Sequence, residues 1–296
     1  FVPGVRADAN GSFILLMLTM YGISMPFMGW LVSRIPAQKI EERKMTAGQW
    51  IIAFLMCYGL MYAGNLIGTA LTFGIGMVKG TGVDNPLVST VMQLNPWVTF
   101  IIAVLIAPTA EELLFRKFLT ERIVKYGELA AVLASGLFFG LFHGNLNQFS
   151  YAFLLGLFLG FIYVKTGKLR YTIGLHMAIS FIGSSLGTWM LRVTGYMDTM
   201  ETLTKFLNTK DLTVLADLGN GIVGMFIFGS YASLILMMAG AGLILMWLNR
   251  KKFVCCAPEE KVASLGKKKA AVMIGNPGIL LYGAFWIGIM IWQLLQ

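Results

Sequence analysis

The sequence predicts an all-α integral membrane protein, a polytopic bundle of about eight transmembrane helices. Three observations lead there. Hydrophobic residues make up 57% of the 296-residue chain and charged residues only 12%, against about 25% charged in a soluble domain. Apolar runs long enough to cross a bilayer, about twenty residues each, recur along the chain, and no period-two alternation points to strands. The connections between these runs alternate between basic and basic-poor, as one consistent orientation across a membrane requires.

The apolar runs place helices near residues 12–33, 50–77, 97–118, 129–147, 149–166, 171–194, 221–248 and 271–295. Arg34, Lys39, Arg43 and Lys44 follow the first, and only Lys79 interrupts the connection from Gly76 to Pro96. Arg116, Lys117, Arg122 and Lys125 follow the third, whereas the turn around Asn145 to Asn147 has no basic residue. Lys165, Lys168 and Arg170 follow the fifth, and the connection 195–220 sets two lysines against Asp198, Glu201, Asp211 and Asp217. Arg250, Lys251, Lys252, Lys261 and Lys267–Lys269 follow the seventh. The basic connections belong on the cytoplasmic side, which puts both visible ends of the chain outside. They also account for the net charge of +9, so a nucleic-acid partner is not implied. The partner expected from this composition is the lipid bilayer. The location expected is the cell (plasma) membrane. The chain divides into N-terminal helices and loops (1–96), a catalytic helical core (97–194), and C-terminal helices with a basic loop (195–296). Phe1 at the start leads us to expect an upstream segment, and no signal peptide is assignable.

Local features follow ordinary rules. Asn95-Pro96 caps and starts the third helix, and Pro108 should kink it. Gly64/Gly68, Gly136/Gly140, Gly156/Gly160 and Gly183/Gly187 are spaced for close helix packing. Cys57, Cys255 and Cys256 read as free thiols on a reducing side or as lipid-facing packing; S-acylation of the Cys255-Cys256 pair is the alternative. Glu41-Glu42 and Glu259-Glu260 lie in basic loops and read as solvated. Residues 250–270 read as a disordered loop.

The chain is organised around Ala107-Pro-Thr-Ala-Glu-Glu-Leu-Leu-Phe-Arg116. An ionisable group at membrane depth costs several kcal/mol and by default marks a functional site. Glu112 and Arg116 are four apart and can pair on one helix face. Glu111, turned by about 100°, has no partner within its own helix and suits a proton acceptor. The chain has two histidines, His143 and His176, both within expected helices. Buried polar groups must find one another, so Glu111, Glu112, Arg116, His143 and His176 are expected to meet inside the bundle. Asn147 and Ser180 each follow a histidine by four residues and could donate to an oxyanion. Asn147 could equally cap a helix end.

No Ser or Cys triad fits, and the His-Glu-x-x-His zinc motif is absent. A carboxylate activating water, with two imidazoles to polarise or protonate, fits peptide hydrolysis. Glu111, His143 and His176 could instead hold a divalent metal such as Zn.

Glu111-Glu112-x-x-x-Arg116, Phe139-x-x-x-His143 and His176-x-x-x-Ser180 resemble the three ordered motifs of the CPBP intramembrane proteases. That group includes CAAX-box proteases and bacteriocin-processing or bacteriocin-immunity (Abi-like) proteins. The resemblance covers roughly residues 96–187. It implies an α-helical membrane bundle with Glu111 as general base, Glu112 and Arg116 as a structural pair, and both histidines where water attacks. The third motif usually ends in Asn or Asp, and here Ser180 stands there. The function expected is that of an intramembrane endopeptidase, of glutamate or metallo type, with a membrane-associated or membrane-embedded protein or peptide as its substrate. A catalytically inactive scaffold or immunity protein and a proton-coupled carrier are the alternatives.

Overall fold

The computed structural model describes residues 8–80, 86–257 and 275–295. Glu259-Glu260, Lys261, Lys267–Lys269 and most of the loop expected at 250–270 lie outside the described residues. So do the first residues of the expected last helix.

The first helix, α1 (Ala9–Ser33), is capped by Asp8, whose carboxylate accepts from two backbone amides. Helix α2 (Ala47–Lys79) opens on a Thr46/Gln49 capping box and stops at Gly80 with φ 76°. A short α3 (Pro86–Gln93) precedes α4 (Pro96–Tyr126), where Asn95 caps as expected, accepting from the Trp97 amide at 2.9 Å. Then come α5 (Glu128–Phe142) and α6 (Leu146–Thr166). Helix α7 runs over residues 169–193 and α8 over Tyr196–Thr209. The chain ends on α9 (Gly221–Lys252) and α10 (Pro277–Leu295). Among the described residues no strand occurs.

Helices α1, α2, α4, α6, α9 and α10 are long and apolar enough to cross a membrane, so the chain is a multi-pass helical bundle. Helices α5 and α7 fill the other two expected positions. At 15 residues, α5 is about 22 Å of helix, shorter than a bilayer core. The expected connection at 195–220 is largely helical, holding α8 and a 3₁₀ turn at Leu212–Leu218.

The four basic connections meet at one end. The Gln38 amide donates to Glu121 O at 2.7 Å, that of Arg43 to Thr166 O at 2.8 Å, and that of Glu128 to Cys256 O at 3.3 Å. Lys168 faces Glu42 at 3.6 Å, and Lys165 pairs with Glu128. At the opposite end the Asn95 amide donates to Asn10 Oδ1 at 2.7 Å and Arg192 caps the Leu94 carbonyl at 2.6 Å. This gathering of positive charge is what a single membrane orientation requires.

The interior packs on glycine. A Cβ on Gly64 would lie 2.8 Å from Ser150 O, and one on Gly68 2.6 Å from Asn147 O, so α2 touches α6 backbone to backbone. On the α5–α6 contact, a Cβ on Gly136 would lie 2.6 Å from the Leu157 side chain and one on Gly160 3.2 Å from Ser135. Gly183 differs, with nothing within 4 Å; it lies in the π-helical turn Phe181–Leu186, where the regular four-residue stripe is lost. Cys57, expected as a free thiol or as lipid-facing packing, does not face lipid: it is fully buried in the core with Met56, Tyr58, Leu159 and Leu175. All three cysteines are free.

Candidate active site

Helix α4 changes pitch around the carboxylates. An α-helical segment, Ala107–Glu112, lies between π-helical segments Phe100–Ile106 and Leu113–Thr120. Pro108 stands at the start of that segment, where the wider preceding turn accommodates its missing amide hydrogen. Both carboxylates are buried, Glu111 at 6% and Glu112 at 0% relative exposure.

Glu112 holds the centre. Its Oε2 lies 3.0 Å from Arg116 Nε, both side chains fully buried, and its Oε1 lies 2.9 Å from His176 Nδ1 on α7. The four-residue pairing on α4 is therefore made, and the same carboxylate also binds the histidine. A carboxylate only accepts, so Nδ1 of His176 carries the hydrogen and Nε2 faces away from Glu112. That Nε2 lies 3.8 Å from Glu111 Oε2. The Arg116 guanidinium lies over the Phe139 ring at 4.7 Å. None of its three guanidinium nitrogens makes a hydrogen bond among the described residues, so its tie to Glu112 is an ion-pair contact.

His143 ends α5. Its Nδ1 lies 2.9 Å from the Phe139 carbonyl one turn back, so again Nδ1 carries the hydrogen and Nε2 is presented. Phe139 joins the two imidazoles, with ring centroids 5.0 Å from His143 and 5.5 Å from His176. His143 lies within electrostatic reach of Glu111 and His176.

The structure thus gathers Glu111, Glu112, Arg116, His143 and His176. Ser180, half-buried, stands one turn beyond His176, where the regular first part of α7 gives way to its π-helical turn, and its hydroxyl makes no hydrogen bond among the described residues. Asn147 does not join them. The helix carrying His143 stops at Gly144, with φ 65°, and Asn145 caps the next one by accepting from the Gln148 amide at 2.7 Å. His143 and Asn147 therefore do not share a helix face, and Asn147 Oδ1 accepts from Thr72 of α2 at 2.8 Å.

Two tyrosines escaped the sequence reading. The Tyr21 hydroxyl of α1 donates to Glu111 Oε1 at 2.6 Å. Tyr151 of α6 lies with its ring 6.3 Å from that of His143. A tyrosine in an apolar helix carries no signal separating such a contact from packing. As for a metal, no three His, Cys, Asp or Glu side chains among the described residues converge at ligand spacing. The donor set expected from Glu111, His143 and His176 is not preformed, and no step is assigned to a metal.

Comparisons with curated proteins and with solved structures find no match. The stretch carrying all three motifs, residues 93–182, matches the family model described as Rce1-like, type II CAAX prenyl endopeptidase, and so shows the resemblance read from the sequence.

Proposed function

We propose that the protein is an intramembrane endopeptidase that hydrolyses a peptide bond with water activated by Glu111. The match to the Rce1-like family supports intramembrane endopeptidase activity in general. The observation that carries the finer reading is the 3.8 Å between Glu111 Oε2 and His176 Nε2, with Nδ1 of that imidazole held by Glu112 at 2.9 Å.

A water within reach of both groups loses its proton to Glu111 as its oxygen attacks the scissile carbonyl. Glu111 then returns the proton to the leaving amine. An imidazole whose Nδ1–H is held by a carboxylate can take a second proton at Nε2 from bulk water before substrate binds, and as an imidazolium it then donates a hydrogen bond from Nε2 to the developing oxyanion and keeps that proton through the cycle. His176 fills that role, with His143 on the other side of Phe139. Ser180, on the same helix as His176, is the further donor, in place of the Asn147 amide. Arg116 balances the charge of Glu112 and holds it in place. The substrate is a peptide presented in or at the membrane.

The test is cleavage of a membrane peptide library by the purified protein in lipid, read by mass spectrometry in ¹⁸O water. One ¹⁸O in the new carboxyl terminus with no acyl-enzyme is expected, as is activity that survives a chelator. Binding without cleavage would instead support the scaffold reading that Ser180 favours. Ion flux requiring Glu111 would support a carrier, and loss of cleavage with the chelator would move Glu111 and the histidines into a metal site.

A further inference from the structure

We infer that Tyr21 is a positioning residue for Glu111 and that α1 is therefore part of the active site. The inference rests on the proposed role of Glu111 as general base.

Most of α1 faces outward: Leu18 and Ile23, flanking Tyr21, are 61% and 68% exposed. Three polar or close contacts fasten the helix along α4. Asn10 Oδ1 accepts from the Asn95 amide at 2.7 Å. The Val32 carbonyl accepts from Arg122 Nε at 2.6 Å. A Cβ on Gly29 would lie 2.9 Å from the Phe118 ring. Between these fastenings Tyr21 turns inward, and its hydroxyl donates to Glu111 Oε1 at 2.6 Å. It does so from a π-helical stretch, Leu18–Ser24, a local widening that often marks functional positions.

The geometry divides the labour of the carboxylate. Tyr21 takes Oε1, so Oε2 is left toward His176 at 3.8 Å. Glu111 has no partner within α4, and a carboxylate in a low-dielectric interior needs a donor if it is to remain charged and in one orientation. A short charge-assisted bond from a phenol supplies both. Arg116 makes its ion-pair contact with Glu112 and donates no hydrogen bond to Glu111. Residues 93–182, which match the family model, do not include this tyrosine, so the reactive carboxylate is completed by a helix from outside the matched region.

Tyr21→Phe removes the hydroxyl and leaves the ring. The expected result is kcat lowered roughly ten- to a hundredfold, the size of effect that a misplaced reacting group gives. KM should stay within about twofold, because the phenol does not touch substrate. Thermal unfolding should be nearly unchanged. Ile23→Ala, on the outward face of the same stretch, should leave kcat unchanged. Fluorinated tyrosines at position 21 keep the shape but change the acidity of the phenol, and kcat should follow that acidity in a graded series. Wild-type kcat in Tyr21→Phe, an equal loss in Ile23→Ala, or a series indifferent to acidity would overturn the inference. Glu111→Gln separates the two levels. If it cleaves normally, the general-base reading fails; if it is inactive while Tyr21→Phe is not, only the role of Tyr21 fails.

Discussion

The charged residues of this chain fall into two groups with opposite surroundings. At the basic end, Arg43 pairs with Glu41 while both side chains stay more than half exposed, at 65% and 75%. Lys168 reaches Glu42 across 3.6 Å, and Lys165 meets Glu128 with both side chains only partly exposed. In the interior, Glu112 and Arg116 pair with no exposure at all, and Glu111 and His176 stand beside them. The residue types are similar. The difference is that the first group has water as a partner and the second has only its neighbours. Exposed pairs are individually weak, and their common service is to mark one side of the membrane. The interior group must be satisfied by geometry, so each of its bonds restricts where a carboxylate or imidazole can point. That restriction is what a reaction needs.

The comparison can be broken most severely at Glu111. Glu111→Gln keeps size and nearly all packing, and it should lower cleavage roughly a hundred- to ten-thousandfold if the side chain is the base. Detergent-solubilised protein should remain folded. Next comes Arg116→Met, which leaves Glu112 buried without its cation. A loss of about 3–5 kcal/mol is expected, the usual result of breaking one side of a buried pair. Chemical unfolding in a bilayer-mimetic detergent measures it. Little change in stability would mean that water reaches the pair.

A third variant pair compares two glycine stripes that look alike on paper. Gly64→Ala should weaken the bundle by about 1–3 kcal/mol, since its Cβ would meet the α6 backbone. Gly183→Ala has open space and should be neutral in the same unfolding measurement. The smallest effect belongs to the basic end. Glu128→Gln should cost about 1 kcal/mol or less and less still in high salt, whereas the Arg116 effect should hardly respond to salt.

Much of the interior group was legible because ionisable residues inside apolar runs have few innocent explanations. Glu111, Glu112, Arg116, His143 and His176 could be named from type and spacing, and their meeting followed from the cost of leaving them apart. Asn147 was misplaced for a specific reason. Four-residue spacing puts two side chains on one face only while the helix continues, and Gly144 with a positive φ ends it. The signal is present in His143-Gly144-Asn145, a glycine stop followed by an asparagine cap. Tyr21 was not legible at all. Its bond to Glu111 joins residues 90 apart in sequence, and that depends on how α1 lies along α4. The equal treatment of four glycine pairs failed at Gly183, which lies in a π-helical turn with nothing within 4 Å, whereas a Cβ on its partner Gly187 would lie 3.5 Å from the Tyr231 hydroxyl of α9.

The chain has only two histidines, so selective ¹⁵N labelling isolates four ring nitrogens, and their chemical shifts test the convergence directly. The account predicts hydrogen on Nδ1 of both rings, with the His176 Nε2 signal moving on Glu111→Gln and the His143 Nδ1 signal staying put. A His176 ring with bare Nδ1, or an Nε2 signal indifferent to Glu111→Gln, would contradict it.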